Sequence, residues 1–178
     1  MQLLRVGVDQ KLDDPFSDLL DNLNNPQPTC IVSDPYMTFT TAAEKFGIPI
    51  LMLSTIPASA LMLCNQLSSA RDKGLIPLKD ESFLTNGYLE TTVDWIPGMK
   101  DIRLLDFPRI IRTTDPNDFR INIVMEVMEK ATKASGVVIH TFDALEGKVL
   151  GALSPCFLMF MQLDHSNYYS ITHPMTTL

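Results

Sequence analysis

The chain has 178 residues, 46% of them hydrophobic, and a net charge of −7. This length and apolar content predict one domain with a real core and exclude wholesale disorder. The 21 acidic against 14 basic side chains argue against a non-specific nucleic-acid or anionic-membrane surface, because both need an excess of Lys and Arg. Three cysteines without CxxC spacing argue against a disulfide framework or a zinc site and favour a reducing compartment, the cytoplasm.

We find no targeting or membrane-spanning segment in the sequence. Charged residues begin at Arg5 and Asp9, too early for the apolar region of a signal peptide. The longest apolar runs cover residues 48–53 and 156–161, far short of the ~20 residues that a spanning helix needs. We therefore expect no integral membrane segment.

The first part of the chain alternates helical and strand patterns. Apolar residues at helical spacing predict a short amphipathic helix over 15–23. Compact apolar runs at 29–33 and 50–53 predict two buried strands, and a helix over 38–46 between them is ended by Gly47. Strand, helix and strand within about thirty residues predict a right-handed βαβ unit with parallel strands.

The alternation continues after the second strand. We predict a helix over 58–73, a helix opened by Asp115-Pro116, a third buried strand over 136–141 and a last helix from Phe142. The irregular stretch at 75–106 is too long for a plain connection, and its apolar content favours a packed binding loop. The fold class predicted from this order is α/β with a mostly parallel sheet.

Polar side chains follow the first two predicted strands, where open parallel sheets form their ligand crevice. Asp34 could orient a histidine that removes a proton from a hydroxyl, but capping of the next helix is the commoner role for an aspartate at such a turn. Ser54 and Thr55 could face the same crevice, and an N-cap for the helix after Pro57 is an equally good interpretation.

No strong catalytic or metal motif stands out. His140, His165 and His173 are scattered and give no metal-ligand spacing, and a histidine within an apolar strand, like His140, is more often structural than catalytic. The phosphate loops GxGxxG and GxxxxGK[ST] do not occur, and the GxSxG context of a hydrolase nucleophile is missing as well.

A family resemblance rests on several segments taken together. They are Pro15-Phe16 with Leu19-Leu20, TCIVSD (29–34), AAEKFGIP (42–49), the stretch from GLIPLKDESF to RLLDFP (74–108), IRTTDPND (111–118) and TFDALE (141–146). These segments resemble plant UDP-sugar-dependent glycosyltransferases of family 1, in particular the clade that acts on small lipophilic aglycones. The long stretch is the most specific, because no general demand of a fold dictates the sequence of such a loop.

The resemblance implies a GT-B architecture of two Rossmann-like domains. Residues 1–154 would be an incomplete N-terminal acceptor-binding domain, residues 155–178 a divergent tail, and the C-terminal donor domain would be absent. The implied reaction transfers a hexose, glucose being the common choice, from a UDP-sugar to a small-molecule hydroxyl with inversion. The family uses a histidine as the base and an aspartate to hold it, and it needs no metal or other cofactor.

The same resemblance suggests roles for residues of this chain. Asp34 matches the aspartate that orients the histidine, and Ser54 and Thr55 match a hydroxyl pair of which one usually contacts the donor sugar. The usual Trp-Thr-Thr-Ser pattern has become residues 53–56, Leu-Ser-Thr-Ile. His140 replaces a family asparagine, so we do not expect it to be the base. Three aromatic residues are candidates for the acceptor pocket, with core packing as the alternative for each: Phe83, Tyr88 and Trp95.

Departures from the family pattern predict an inactive fragment. No GHxxP-like segment precedes Pro15, and the donor-domain signature does not occur, so the catalytic histidine is expected to be missing along with the donor domain. A truncated gene model that reads past an exon end would explain the tail. Without the amino-terminal strands we expect an unpaired sheet edge and poor yield of soluble monomer. The alternative function is a non-catalytic module that binds an acceptor or pairs with an intact relative.

Overall fold

A computed structural model describes residues 14–23, 28–36, 40–163 and 169–172. The helices are α1 (14–22), α2 (Thr40–Phe46), α3 (Ala58–Asn65), α4 (Leu67–Asp72), α5 (Phe119–Lys133) and α6 (Asp143–Leu153). The strands are β1 (Ile31–Ser33), β2 (Ile50–Ser54), β3 (Thr92–Val93), β4 (Ile102–Arg103), β5 (Gly136–His140), β6 (Phe160–Leu163) and β7 (Tyr169–Thr172). None of the described helices is long and apolar enough to cross a membrane.

The main sheet confirms the predicted parallel β1-α2-β2 arrangement. Its strand order is β1-β2-β5-β6-β7, and β1, β2, β5 and β6 pair in parallel. In register, Ile31 lies opposite Ile50, and Leu51 lies opposite Gly136. Four of the five residues of β5 are buried, which explains why its sequence lacks polar alternation. Helix α3 packs against both α5 and α6, and the apolar side chains between the helices and the sheet form the core.

The tail contributes strands that its sequence pattern did not reveal. Strand β6 extends the sheet in parallel beside β5, with Val137 opposite Phe160, and β7 returns antiparallel to β6. The sequence of the tail has no sustained period, so these strands are recognised from their pairing with neighbouring strands. The predicted surface residues His165 and His173 lie outside the described residues.

Two helix predictions were wrong in their limits. The helix predicted over 58–73 is divided at Gln66, although hydrogen bonds from Gln66 N to Met62 O and from Ala70 N to Gln66 O bridge the break. The helix predicted to open at Asp115 begins at Phe119 instead. Gly47 ends α2 as predicted, with Ile48 N donating to Ala43 O at 2.9 Å.

Asp118 fixes the start of α5. Its Oδ1 accepts a hydrogen bond from Arg120 N at 2.8 Å, the geometry of an N-cap. Asp115 forms a separate turn, in which its Oδ1 accepts from Asn117 N at 2.8 Å. Hydrogen bonds from Arg120 hold the pKa of Asp118 at about 2, well below its ordinary value. The sequence analysis placed the helix start at Asp115, and the structure assigns the cap to Asp118.

The long stretch between α4 and α5 is packed, as its apolar content predicted. Four 3-10 turns organise it: Glu81–Leu84, Tyr88–Glu90, Leu104–Asp106 and Arg109–Ile111. A further 3-10 turn, Ser154–Cys156, follows α6. The side chains of Ile76 and Leu78 are buried, and Leu78 N donates to Thr113 O at 2.8 Å. This stretch is therefore part of the core packing.

Strand β1 is an edge strand of the described sheet. Its only strand partner among the described residues is β2. Val32 is 63% exposed, whereas its neighbours Ile31 and Ser33 are buried. Unpaired backbone N–H and C=O groups along a strand edge can pair with another chain, and the open sheet edge expected from the sequence stays a prediction.

Gly98 packs tightly against the backbone of α6. Its φ is +74°, and a Cβ atom there would lie 2.6 Å from the carbonyl oxygen of Lys148. Both the left-handed backbone and the contact therefore require glycine at this position.

Replacing Gly98 by alanine should lower the free energy of unfolding by at least about 1 kcal/mol, since it adds backbone strain and a clash with α6. Gly151→Ala is the matched control, because Gly151 lies in α6 with open space around its Cα. The control should raise the free energy of unfolding by roughly 0.5–1 kcal/mol. Urea unfolding followed by circular dichroism measures both, and equal stabilities of the two variants would contradict the packing described.

Asp118→Ala should lower the free energy of unfolding by about 1 kcal/mol at pH 7, because it removes the N-cap of α5. The depressed pKa means that the ionised cap stabilises the protein above the unfolded pKa near 3.8. That stability is lost as pH falls toward about 2, so the difference between wild type and variant should shrink there. Asp118→Asn keeps a capping oxygen and should retain most of the stability; a pH-independent difference for Asp118→Ala would refute the assignment.

Candidate functional site

The carboxyl ends of three neighbouring strands meet at one edge of the main sheet, here called the carboxyl edge. Asp34 follows β1, Ser54 ends β2 with Thr55 next, and Thr141 follows β5. Ser33 pairs with Met52 and Ser54 with Ile139, so the parallel register brings these positions together. The candidates that follow the first two strands therefore lie at the same edge of the sheet.

Asp34 is exposed and forms a local turn. Its Oδ1 accepts a hydrogen bond from Tyr36 N at 2.8 Å, two residues further along the chain. This hydrogen bond closes a local turn, and the alternative role of Asp34 as a cap of the next helix stays a prediction. Residues 37–39, which lead toward α2, lie outside the described residues. The role of Asp34 in orienting a histidine stays a prediction.

The hydroxyl pair is divided between the interior and the surface. Ser54 is 2% exposed, and its Oγ has no hydrogen-bond partner among the described residues. An unsatisfied buried hydroxyl costs about 1–3 kcal/mol, so it is an unusual feature at the end of a core strand. Thr55, in contrast, is exposed at the carboxyl edge. Of the two, only Thr55 presents its side chain to solvent.

The three aromatic candidates for the acceptor pocket pack against the core. The rings of Phe83 and Tyr88 lie 4.5 Å apart, and the Tyr88 hydroxyl donates to Leu75 O at 3.1 Å. Burial raises the pKa of Tyr88 above its ordinary value. The Nζ of Lys73 lies 5.2 Å from the centroid of the half-buried Trp95 ring. The structure gives each residue a packing role, and a role in an acceptor pocket stays a prediction.

His140 is exposed at the end of β5, and its ring makes an edge contact with Phe142 at 6.3 Å. The part of the chain that the structure describes contains no cluster of three or more His, Cys, Asp or Glu side chains able to hold a metal ion.

Glu146 is a carboxylate near the carboxyl edge to which the sequence analysis gave no role. Its Oε2 accepts from Ala58 N at 2.9 Å and its Oε1 from Ser59 N at 2.8 Å, so it caps the start of α3. The hydroxyl of Thr141 donates to the same carboxylate. We call these three contacts the Glu146 network. Partial burial raises the pKa of Glu146, but hydrogen bonds from Thr141, Ser59 and Ala58 outweigh it, so the pKa lies below its ordinary value.

The Glu146 network connects three strand ends. Gln162 Nε2, on β6, donates to the carbonyl oxygen of Thr141 at 3.2 Å, and Thr141 contacts Glu146. Glu146 in turn holds the helix that follows β2. The available sequence signal was the motif TFDALE together with Pro57, a residue whose side chain cannot cap its own helix.

Two cavities lie away from the predicted site residues. One of about 310 Å³ is lined by residues around the start of β2 and the end of α5, among them Pro49, Lys130 and Ser135. Another of about 510 Å³ lies beside α3 and α5, between Cys64, Asn122 and neighbouring side chains. Burial raises the pKa of Cys64 to about 11, so its thiol stays protonated and unreactive at neutral pH.

Comparison with curated proteins gives plant glycosyltransferases. The chain is 49% identical over 145 residues to the (R)-mandelonitrile beta-glucosyltransferase of Prunus dulcis, covering 79% of this chain and 30% of that protein. It is 46% identical over 148 residues to the 7-deoxyloganetin glucosyltransferase of Gardenia jasminoides, covering 79% and 31%. It is 48% identical over 166 residues to UDP-glycosyltransferase 85A8 of Stevia rebaudiana, covering 85% and 35%. The chain thus spans about a third of the length of these relatives.

Solved structures agree in fold. A UDP-glucosyltransferase from Polygonum tinctorium matches with a TM-score of 0.68 at 17% identity, over 85% of this chain and 32% of that one. LpCGTa in complex with UDP matches with a TM-score of 0.67 at 19% identity, over 88% and 34%. No protein-family model matches the chain.

The sequence is 46–49% identical to three proteins whose names all describe a glucosyl- or glycosyltransferase. The mostly parallel α/β sheet agrees with the GT-B fold of the matched solved structures. The expected family resemblance is therefore confirmed. The chain belongs to the plant UDP-glycosyltransferases and spans part of the length of such a protein.

Proposed function

We propose that this chain is part of the acceptor-binding domain of a UDP-glycosyltransferase. In its full-length form the enzyme would transfer a hexose, glucose by preference, from a UDP-sugar to the hydroxyl of a small lipophilic molecule. The observation that supports this most directly is the 49% identity to a protein named (R)-mandelonitrile beta-glucosyltransferase. The position of Asp34 and Thr55 at one edge of the sheet agrees with it.

The proposed mechanism uses Asp34 and Thr55 in different roles. Asp34 accepts a hydrogen bond from a histidine, fixing the tautomer and stabilising the imidazolium. The other imidazole nitrogen takes the proton from the acceptor hydroxyl, whose oxygen forms a bond to the anomeric carbon as the bond to the UDP oxygen breaks. The configuration inverts because attack and departure occur on opposite faces. Thr55, whose side chain is exposed, contacts a hydroxyl of the donor sugar, whereas Ser54 is buried.

The 178 residues alone do not perform this transfer, in our proposal. We do not assign the base to His140, which lies at the end of a strand where relatives of this type are expected to have an asparagine. Loss of a general base removes roughly a hundred- to ten-thousand-fold of rate. When these 178 residues are tested apart from a donor-holding domain, approximation worth up to about 7–11 kcal/mol is not available. Asp34 cannot compensate for either loss.

A second candidate function is supported by the edge strand β1. A non-catalytic module that pairs with an intact relative would need a strand edge open to a partner, and among the described residues β1 pairs with β2 alone. Such a module would bind an aglycone or a partner chain without turnover. For either function we propose the cytoplasm as the location, in agreement with three free cysteines, Cys30, Cys64 and Cys156.

We expect purified 178-residue protein, mixed with UDP-glucose and a panel of small lipophilic alcohols and phenols, to release no UDP above the no-enzyme background. A coupled UDP assay measures this, with a full-length relative as the positive control. Enzyme-dependent UDP release would refute the proposed inactivity. Calorimetric titration with the same aglycones tests acceptor binding by the module, which requires saturable binding without turnover; the absence of any saturable binding would contradict an aglycone-binding module.

Asp34→Asn should lower kcat about a hundredfold or more in a chimera where the aligned segment of this chain replaces that of the Prunus dulcis relative, since a neutral amide cannot stabilise the imidazolium. Asp115→Asn is the matched control, because Asp115 makes the same turn contact, at 2.8 Å to the amide two residues on. The control should leave kcat unchanged. An Asp34→Asn chimera as active as its parent would exclude the proposed role.

A further inference from the structure

The exposed Thr55 lies in a short connection between two fixed elements. On one side, β2 is paired with β1 up to Met52 and with β5 up to Ser54. On the other side, α3 begins at Ala58, only three residues after Thr55. The conformation of this connection, residues 55–57, therefore depends on how firmly the first turn of α3 is held.

The start of α3 has no cap from its own side chains. The residue at the N-cap position is Pro57, which makes no side-chain cap hydrogen bond. The free amides at the start of a helix need an acceptor, and leaving them unsatisfied in a partly buried place is costly. Both oxygens of Glu146 provide it, at 2.9 Å to Ala58 N and 2.8 Å to Ser59 N.

The acceptor comes from a distant part of the sequence. Glu146 lies in the first turn of α6, 88 residues after Ala58, and the Thr141 hydroxyl fixes its carboxylate against the end of β5. The Glu146 network therefore sets the distance between the start of α3 and the end of β5. Ser54, before the connection, pairs with Ile139 of β5. The start of α3, after the connection, is held through Glu146 to Thr141, which follows β5, so both ends are anchored at the same strand.

We propose that Glu146 is a positioning residue, which holds residues 55–57 so that the Thr55 side chain points to the donor sugar. This inference rests on the proposed function, in which Thr55 contacts that sugar. Glu146 touches neither substrate; it acts through the backbone of α3. A displacement of about 1 Å in a positioning contact can cost on the order of a hundredfold in rate, so the network is a determinant of turnover as well as of stability.

The first experiment measures hydrogen exchange of the 178-residue protein by mass spectrometry. Glu146→Ala should accelerate exchange of the amides of Ala58 and Ser59 by about 10- to 100-fold, the range expected for the loss of hydrogen bonds to a charged group. Glu146→Gln keeps one acceptor oxygen and should give an intermediate acceleration. The control Asp118→Ala removes the comparable cap of α5 and should leave exchange at 55–59 unchanged.

The second experiment measures kinetics in the chimera described above, below the unfolding temperature of every variant. Glu146→Gln should raise KM for UDP-glucose and lower kcat/KM about tenfold, and Thr55→Ala should have an effect of the same kind. Asp118→Ala, although destabilised to a similar extent, should leave both parameters unchanged. A purely structural Glu146 would instead behave like Asp118.

The outcomes separate the inference from the function on which it rests. If Thr55→Ala leaves KM for UDP-glucose unchanged, the donor contact in the proposed function is wrong. If Thr55→Ala raises KM but Glu146→Gln does not, the positioning role of Glu146 is wrong. Unchanged exchange at Ala58 and Ser59 in Glu146→Ala would overturn the inference at its structural step.

Discussion

One carboxylate joins the elements on which the carboxyl edge depends. Glu146 accepts hydrogen bonds from the first two amides of α3 and from the hydroxyl that follows β5. Gln162 extends the same connection to β6 through the carbonyl oxygen of Thr141. A parallel sheet brings strand ends and helix starts to one edge, but it does not fix the loops between them. In this protein a charged side chain provides that restraint, and the depressed pKa of Glu146 reflects the donors around it.

The restraint explains why a partly buried charge is tolerated at this position. Burial alone would favour the neutral acid and raise its pKa. The peptide amides of Ala58 and Ser59 lie at the positive end of α3, so hydrogen bonding stabilises the ionised form instead. The same edge also contains the opposite case, the buried Ser54 hydroxyl without a partner among the described residues. The carboxyl edge therefore contains both a charged group with hydrogen-bond donors, Glu146, and a buried hydroxyl without a described partner, Ser54.

The matched relatives are the basis for proposing substrate contacts at the carboxyl edge, and the exposure of each side chain limits which residues can make such contacts. Thr55 is exposed and Ser54 is buried, although the sequence offered them as an equivalent pair. Phe83, Tyr88 and Trp95 are engaged in packing, so any part they take in an acceptor pocket would use only the exposed remainder of each ring. The described portion is thus a scaffold that presents a few polar groups at one edge.

The sequence by itself determined the elements whose signals are local. Compact apolar runs identified β1, β2 and β5, Gly47 marked the end of α2, and the order of helices and strands determined a mostly parallel α/β sheet. The segments that resemble plant UDP-sugar-dependent glycosyltransferases, above all residues 74–108, identified the family. These inferences succeeded because burial on both faces and helix termination leave marks within a few residues.

Only the tertiary structure decided the features that depend on distant contacts. Strand β6 pairs in parallel with β5 and β7 pairs antiparallel with β6, pairings that no local pattern of the tail indicates. Glu146 lies 88 residues after Ala58 and 87 after Ser59, so no local pattern links it to the start of α3. Hydrogen bonds and strand pairings across such separations are selected by the packed core, and a single sequence records the residues but not the distances between them.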